Sequence, residues 1–377
     1  MNDNLKRYLA IVAALKQLYT SFPNGNFLRH LLTLAALING IVAAGKTQLP
    51  AIANKMPGDK LRESRIQQFR RWLKNTNVDA RSYFLPFLPA LLAGLPGGPL
   101  VLIEDGSEVG RGCLTLMLSV VYQKRSLPLA WLVVKGKKGH FPQEVHKALL
   151  QSLLSVLPAQ REIIFLGDGE FDGCELLKFI REQGWHFVCR TAKNVLLFES
   201  ENTEHLWQEE EAFRFTDLMI APGELLHYKV GFTAQKYYPV TAIGVWEAGN
   251  KEPLYLVTSI ELAAEAVEWY RQRFRIETFF SDQKSRGFHL NKSHLTCPER
   301  LSRLLIACCL AYIWIVFLGA AVASRTSLRR QVHRRMRCDL SLFQLGIAWL
   351  ERCLNCLWEI PVSFTRRPMI SLPESVR

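Results

Sequence analysis

A chain of 377 residues, 49% hydrophobic and 11% aromatic, carries enough apolar material for a sizeable core, which excludes a disordered or fibrous protein. Its 47 Lys and Arg against 34 Asp and Glu leave a formal net charge of +13, which favours a polyanionic partner such as nucleic acid, or an anionic membrane surface. The 9 cysteines are odd in number and sit mostly in apolar runs, so free thiols in a reducing cytosol are expected rather than a disulfide framework.

The chain opens on MNDNLKRYLAIVAALKQLY, an amphipathic helix with charges scattered through it rather than a secretory leader. NFLRHLLTLAALINGIVAAG is an apolar-periodic helix stopped by glycine. TQLPAIANKM is a short helix with Thr47 available as its cap, and KLRESRIQQFRRWLKN is a basic helix that includes Arg65, Arg70 and Arg71. Short helix, turn, basic helix is the layout of a helix-turn-helix reader of DNA; a plain basic surface is the alternative. LPALLAGLPGGP closes the region and reads as a linker, so a helical DNA-binding domain is expected over 1–95.

Then the period changes. LVLIEDGSEVG is a buried strand ending in acids, and CLTLMLSVVYQ and LPLAWLVVKG read as the next two strands. KGKKGH comes next as a basic loop in which Lys137 and Lys138 are phosphate-contact candidates, or simply part of a solvated turn. PQEVHKALLQSLLSVL is a helix, EIIFLGDGEFDG a second strand ending in acids, CELLKFIREQG a helix and HFVCRTA a strand. Three meandering strands, then helix and strand alternating, is the order of an RNase H-like sheet, so an α/β core of that type is expected over 96–193. From 194 to 258 the short strands LHYKVGFTA, YPVTAIGVW and PLYLVTS read as a β-rich insertion that carries Trp246. Helical periodicity returns over 259–324 and completes the core.

Leu304 to Ala323 is a run without a charge, long enough to span a bilayer. A buried core helix is preferred, because no second span is read beside it and the rest has a soluble α/β pattern. The last region, 325–377, is basic and helical. Its tract RTSLRRQVHRRMR is a candidate second DNA arm, and Cys353 with Cys356 forms a CxxC with no second pair at zinc-finger spacing.

The stretch YRQRFRIETFFSDQK, from Tyr270 to Lys284, threads aromatics through cations around one Glu. On a helix at about 100° per residue, with Tyr270 at zero, Arg273 falls about −60°, Glu277 about −20° and Lys284 about −40° away. These share a face from which Arg271, Arg275 and Asp282 point away; a solvated face with i,i+4 ion pairs is the bland alternative. Asp105 and Asp168 end two strands that can lie side by side. With Glu277 beside them, three carboxylates would repel one another unless a cation sat between. Two Mg²⁺ ions, with Mn²⁺ as a substitute, suit such hard oxygen ligands and serve phosphoryl transfer by activating an attacking oxygen and stabilising a leaving one. Alternation along the first strand turns Glu104 to the other face, and Asp172 reads as the cap of the next helix.

The spacing Tyr-x2-Arg-x3-Glu-x6-Lys resembles the YREK signature of bacterial DDE transposases from cut-and-paste insertion sequences, and Tyr270, Arg273, Glu277 and Lys284 match all four positions. IEDGSEVG resembles that family's first-Asp strand, and LGDGEFDG with LLKFIREQGWHFVCR its second-Asp block. The β-rich insertion before the Glu helix is also the family's layout, so the resemblance covers about residues 95 to 320. Family members often carry a basic residue right after the second Asp, where this chain has Gly169.

The resemblance implies an RNase H-like DDE transposase that performs Mg²⁺-dependent phosphoryl transfer on DNA. Asp105, Asp168 and Glu277 would be its catalytic metal ligands, and Tyr270, Arg273 and Lys284 would hold DNA beside them. An aromatic of the insertion, Trp246 here, would hold a flipped base, with a β-core tryptophan as the alternative. It further implies binding to terminal inverted repeats, a first cut that leaves a 3′-OH, a hairpin end, transfer to target DNA, and a homodimer that synapses both ends. The place of action is the cytoplasm, on the nucleoid, with no membrane role. An inactive DNA-binding descendant of a transposase, or an RNase H-like nuclease that cuts without joining, are the competing readings.

Overall fold

A computed structural model describes residues 2–19, 24–136, 141–199, 212–235, 237–334 and 337–371. The N-terminal part holds six helices, α1 (Asp3–Lys16), α2 (Gly25–Ala44), α3 (Leu49–Ala53), α4 (Arg62–Lys74), α5 (Ala80–Tyr83) and α6 (Leu88–Ala93). In α4 the helical spacing puts Ile66, Phe69, Trp72 and Leu73 on a buried face, while Arg62, Arg70, Arg71 and Lys74 remain exposed. The stretch read as a linker is α6, whose Leu88, Leu91 and Leu92 are buried. Its Pro89 lies in the first turn, where a missing N–H leaves no helical bond unmade. Thr47 does not cap α3 either: its hydroxyl donates to the His289 carbonyl, 3.1 Å away.

The strands are β1 (Leu100–Gly110), β2 (Cys113–Tyr122), β3 (Arg125–Lys135), β4 (Ile163–Gly167), β5 (His186–Arg190), β6 (Leu196–Glu199), β7 (Ala212–Arg214), β8 (Leu225–Phe232), β9 (Tyr237–Val245) and β10 (Leu254–Thr258). Among the described residues they form one mixed sheet in the order β3-β2-β1-β4-β5-β10-β9-β8-β6-β7. β1 to β3 are an antiparallel meander, and β4 and β5 run parallel to β1. The parallel pair β1–β4 is apolar and buried over its whole overlap, Leu100–Ile103 against Ile163–Leu166, as strands covered on both faces require. The β-rich segment makes no sheet of its own, because β10 pairs antiparallel with β5 and prolongs the central one. Two helices, α7 (Gln143–Gln151) and α8 (Cys174–Glu182), join β3 to β4 and β4 to β5.

After the sheet come α9 (Ala263–Tyr270), α10 (Arg275–Gln283), α11 (Pro298–Ala323), α12 (Thr326–Arg330) and α13 (Leu342–Asn355). The single helix expected from Tyr270 to Lys284 is therefore broken. Residues 271–274 form a tightened turn in which Gln272, Arg273 and Arg275 donate to carbonyls three residues back rather than four. The break lets α9 pack against β5 while α10 crosses β1, β2 and β3.

Two helices, α2 and α11, are long and apolar enough to cross a membrane by length and composition, so the reading that α11 has no companion is corrected. Both belong to one continuous core with the sheet, and α11 is buried along its entire apolar window. Polar ties reinforce this: Arg303 on α11 donates to the Val78 and Leu73 carbonyls at 2.8 and 3.0 Å. Where α11 meets α13, Gly319 and Gly346 let the backbones touch, and a Cβ on either would run into the carbonyl of Leu342 or Ile315. All 9 cysteines are free.

Candidate active site

The last register pair of the two central parallel strands is Ile103 with Leu166, and Asp105 and Asp168 each lie two residues beyond it. Both carboxylates thus stand at one level, where the parallel pairing of the two strands ends and a crevice can open; the strand expected to end at the first acids instead runs on to Gly110, so Asp105 lies within β1 while Asp168 lies just past β4. There β1 continues alongside β2, while the chain after β4 turns sharply away, with the Phe171 N–H bonded to the Asp168 carbonyl at 3.0 Å. The turn needs Gly167, since a Cβ there would strike the Phe171 side chain. Asp105 Oδ1 accepts from the Gly106 N–H at 2.8 Å, and Asp168 Oδ1 from the Glu170 N–H at 3.1 Å, which orients each carboxylate.

Glu277 comes from the first turn of α10, a position the helix dipole favours for a carboxylate. Arg273, in the preceding turn, reaches all three acids. Its guanidinium is 3.9 Å from Asp105 Oδ2, 3.9 Å from Asp168 Oδ2 and 3.3 Å from Glu277 Oε1. Lys284, just past α10, donates to Ser107 Oγ at 2.6 Å, so it closes the same cleft from the β1 side. The cleft has a volume of about 700 Å³ and is lined by these acids and Arg273 together with Ser107, Glu170 and Phe280. Burial pushes the Asp105 carboxyl up to about 6; Arg273 opposes this, and the neighbouring Asp168 and Glu277 reinforce it. The donor set, three carboxylates from three separate elements, suits a hard divalent cation. With the guanidinium between them, no three acid, imidazole or thiol groups among the described residues stand close enough to hold an ion.

Tyr270 ends α9 and is only 3% exposed; burial raises its phenol to about 12. It is not among the residues that line the cleft. Arg271 points away and pairs with Glu247 and Glu268. Trp246 lies just past β9 and is half-buried, its Nε1–H donating to the Asn250 carbonyl at 2.9 Å. Arg65, expected on the DNA face of α4, is instead buried. Its guanidinium donates to the carbonyls of Ala53, Met56, Pro57 and Gly58, so it closes the α3–α4 turn and has no free face for a phosphate. Arg70 and Arg71 are exposed on that helix. Lys137 and Lys138 lie outside the described residues. Asp172 does not cap α8; it accepts from Thr191 Oγ1 at 2.7 Å.

Below the carboxylates lies a group that the sequence alone does not bring together. Glu104 is fully buried and faces away from Asp105; its Oε1 is 3.2 Å from His146 Nδ1 on α7. His146 Nε2 is 3.6 Å from Glu170 Oε1. Burial lifts Glu104 to about 7. Burial alone would lower the His146 imidazole, but the two carboxylates outweigh it and hold it up to about 9. The sequence held one signal bearing on Ser107: in extended chain, residues two apart share a face, so Ser107 goes with Asp105.

The cleft thus gathers three carboxylates, one guanidinium and one ammonium beside the parallel pairing of β1 and β4. Residues 96–314, more than half of the chain, match the family described as "Transposase DDE domain", and the chain belongs to that family of DNA transposases. No curated protein matches the chain significantly. A cryo-EM structure of the piggyBac transposase synaptic complex with hairpin DNA is similar over 99% of this chain and 87% of that one, with 12% identity and a TM-score of 0.47, a likeness too slight to bear on function.

Proposed function

We propose that the chain is a YREK-type, cut-and-paste transposase of a bacterial insertion sequence. It would bind the terminal inverted repeats of its element through a helical domain (1–95) and cut and rejoin DNA in an RNase H-like core (96–193 and 259–324). That core would be interrupted by the β-rich segment 194–258 and followed by a basic C-terminal region. One observation carries the reading: carboxylates from β1, the turn after β4 and α10 converge on one guanidinium, with Lys284 closing the cleft. The antiparallel meander followed by two strands parallel to its first supports the RNase H-like assignment.

In this reading Asp105, Asp168 and Glu277 would hold Mg²⁺ or Mn²⁺, which would supply charge neutralisation and polarisation of a phosphate oxygen. Arg273, which here lies among the carboxylates, and Lys284, on the other side of the cleft, would contact the DNA backbone. Phe280 and Leu114 supply apolar surface beside these charged groups in the cleft lining. The first strand is cut by water, which leaves a 3′-OH. That hydroxyl attacks the opposite strand to give a hairpin, and reopening and attack on target DNA come after it, within a homodimer that synapses both ends. The protein works on the nucleoid in the cytoplasm.

The test uses a labelled duplex carrying the sequence that flanks the gene. Asp105→Ala, Asp168→Ala and Glu277→Ala should each abolish single-turnover cleavage with Mg²⁺ and leave binding intact, because binding comes mainly from basic contacts to phosphates. Cleavage by Asp168→Ala at the wild-type rate would remove this site from the reading. Cutting without joining by the wild-type chain would favour a nuclease.

A further inference from the structure

We propose that His146 is a positioning residue that sets the separation of Asp105 and Asp168. The inference rests on the reading of those aspartates as metal ligands. The backbone pairing of β1 with β4 ends at Ile103 and Leu166, so no ladder bond holds the Asp105 strand to the Asp168 turn at the level of the carboxylates. On the far side of that gap His146 lies between them. Its Nδ1 is at hydrogen-bond distance, 3.2 Å, from Glu104, the residue before Asp105, while its Nε2 makes no hydrogen bond among the described residues and faces Glu170, two residues after Asp168, at an ion-pair distance of 3.6 Å.

The clamp is rigid for three reasons. His146 and Glu104 are both 0% exposed, so neither can exchange its partner for water. The imidazole lies edge-on to the Phe171 ring, 4.6 Å between centroids, and that ring also fills the space over Gly167. Glu170 Oε1 additionally accepts the Phe141 N–H at 2.5 Å, which ties the approach to α7 into the same group. A buried acid whose second oxygen has no partner among the described residues is expensive to keep for stability alone. Its placement one residue from a catalytic carboxylate gives it a use: any shift of α7 is transmitted to the spacing of the two aspartates.

The test measures Mn²⁺ binding to the full chain, without DNA, from the electron paramagnetic resonance signal of free Mn²⁺. His146→Leu keeps the volume and removes both contacts; it should weaken Mn²⁺ about tenfold, as loss of outer support for metal ligands does. His146→Gln, whose amide reaches one carboxylate, should recover part of that affinity. Trp314→Phe, on α11, removes a bond to the Pro361 carbonyl, neither residue lining the cleft, and should lower the melting temperature without changing Mn²⁺ affinity. Wild-type Mn²⁺ affinity in folded His146→Leu, or an equal loss in Trp314→Phe, overturns the proposal. Should His146→Leu fail to fold, wild-type affinity in His146→Gln overturns it instead. Asp105→Ala separates the two levels. Mn²⁺ binding that survives it defeats the reading of the active site itself; binding lost there but kept in His146→Leu defeats only the clamp.

Discussion

Replacing Arg273 by Ala should move two measurements in opposite directions. Its side chain is 10% exposed and within 3.9 Å of two aspartates and 3.3 Å of Glu277. A pair of unit charges about 4 Å apart is worth about 4 kcal/mol at an effective dielectric constant of about 20, before desolvation is subtracted. The guanidinium is thus a strong competitor for any divalent ion at the same carboxylates. Most of that attraction is offset by water regained when the acids are freed, so Arg273→Ala should tighten Mn²⁺ by about tenfold, or about 1.4 kcal/mol. Cleavage should instead slow by about 10²–10³, or about 2.7–4 kcal/mol, the usual loss when a charged or donor group aimed at the reacting phosphate is removed. Arg271, half exposed and paired with Glu247 and Glu268, is the internal control. Arg271→Ala should change either quantity by no more than about 1 kcal/mol. The assays are metal titration without DNA and single-turnover cleavage of end-labelled duplex with binding checked in parallel. Equal losses for the two arginines, or Mn²⁺ affinity that falls on removing Arg273, would refute the electrostatic argument.

Asp282→Ala strands Arg125, with which Asp282 forms a 2.8 Å ion pair at 4% and 12% side-chain exposure, and should lower stability in urea by about 3–5 kcal/mol. Gly319→Ala should destabilise by about 1–3 kcal/mol or more, seen as a lower melting temperature, because its Cβ has no room against the Leu342 carbonyl. Arg70→Ala and Arg71→Ala should each reduce the salt dependence of DNA binding by about one unit of slope, while Arg65→Ala should reduce stability instead. Without metal, stability should fall from pH 6 to pH 9: Glu104, raised from 4.5 to about 7, and His146, raised from 6.5 to about 9, both hold protons more tightly folded than unfolded, so their contribution is present below the unfolded value and lost as pH climbs through the folded one. Mg²⁺, which binds ionised carboxylates, should narrow the difference; a melting temperature that rises over this range contradicts the assignment.

The acids were readable because each ends an apolar run. Leu100–Ile103 and Ile163–Leu166 read as buried strands, and Asp105 and Asp168 each stand two residues past their parallel pairing, although β1 itself runs on to Gly110 and buries Glu104. Arg273 and Glu277 were readable from spacing, although the helix carrying them is broken, because the two still meet at 3.3 Å across the tightened turn. Tyr270 was placed less well, since the break turns α9 toward β5 and buries it. Arg65 shows a different limit: composition cannot tell an arginine that faces a phosphate from one wrapped by four backbone carbonyls. The His146 clamp was invisible because its three residues come from separate parts of the chain, and only the sheet brings them together. The linker and the Thr47 cap failed for a related cause: their partners are set by tertiary packing, which for Thr47 means a carbonyl made much later in the sequence.

The position of α11 also has a consequence for how the protein is made. α2 is complete at Ala44, and the helix that covers it ends at Ala323. At about 5–20 residues per second, a ribosome needs roughly a quarter of a minute to a minute to cross that interval. Throughout it, α2 lacks the cover that α11 gives, although α1, α3 and α4 already lie against it. The N-terminal helices therefore lack one of their packing partners until the end of synthesis. A product truncated before α11 would leave that face of α2 exposed, an expected aggregation liability.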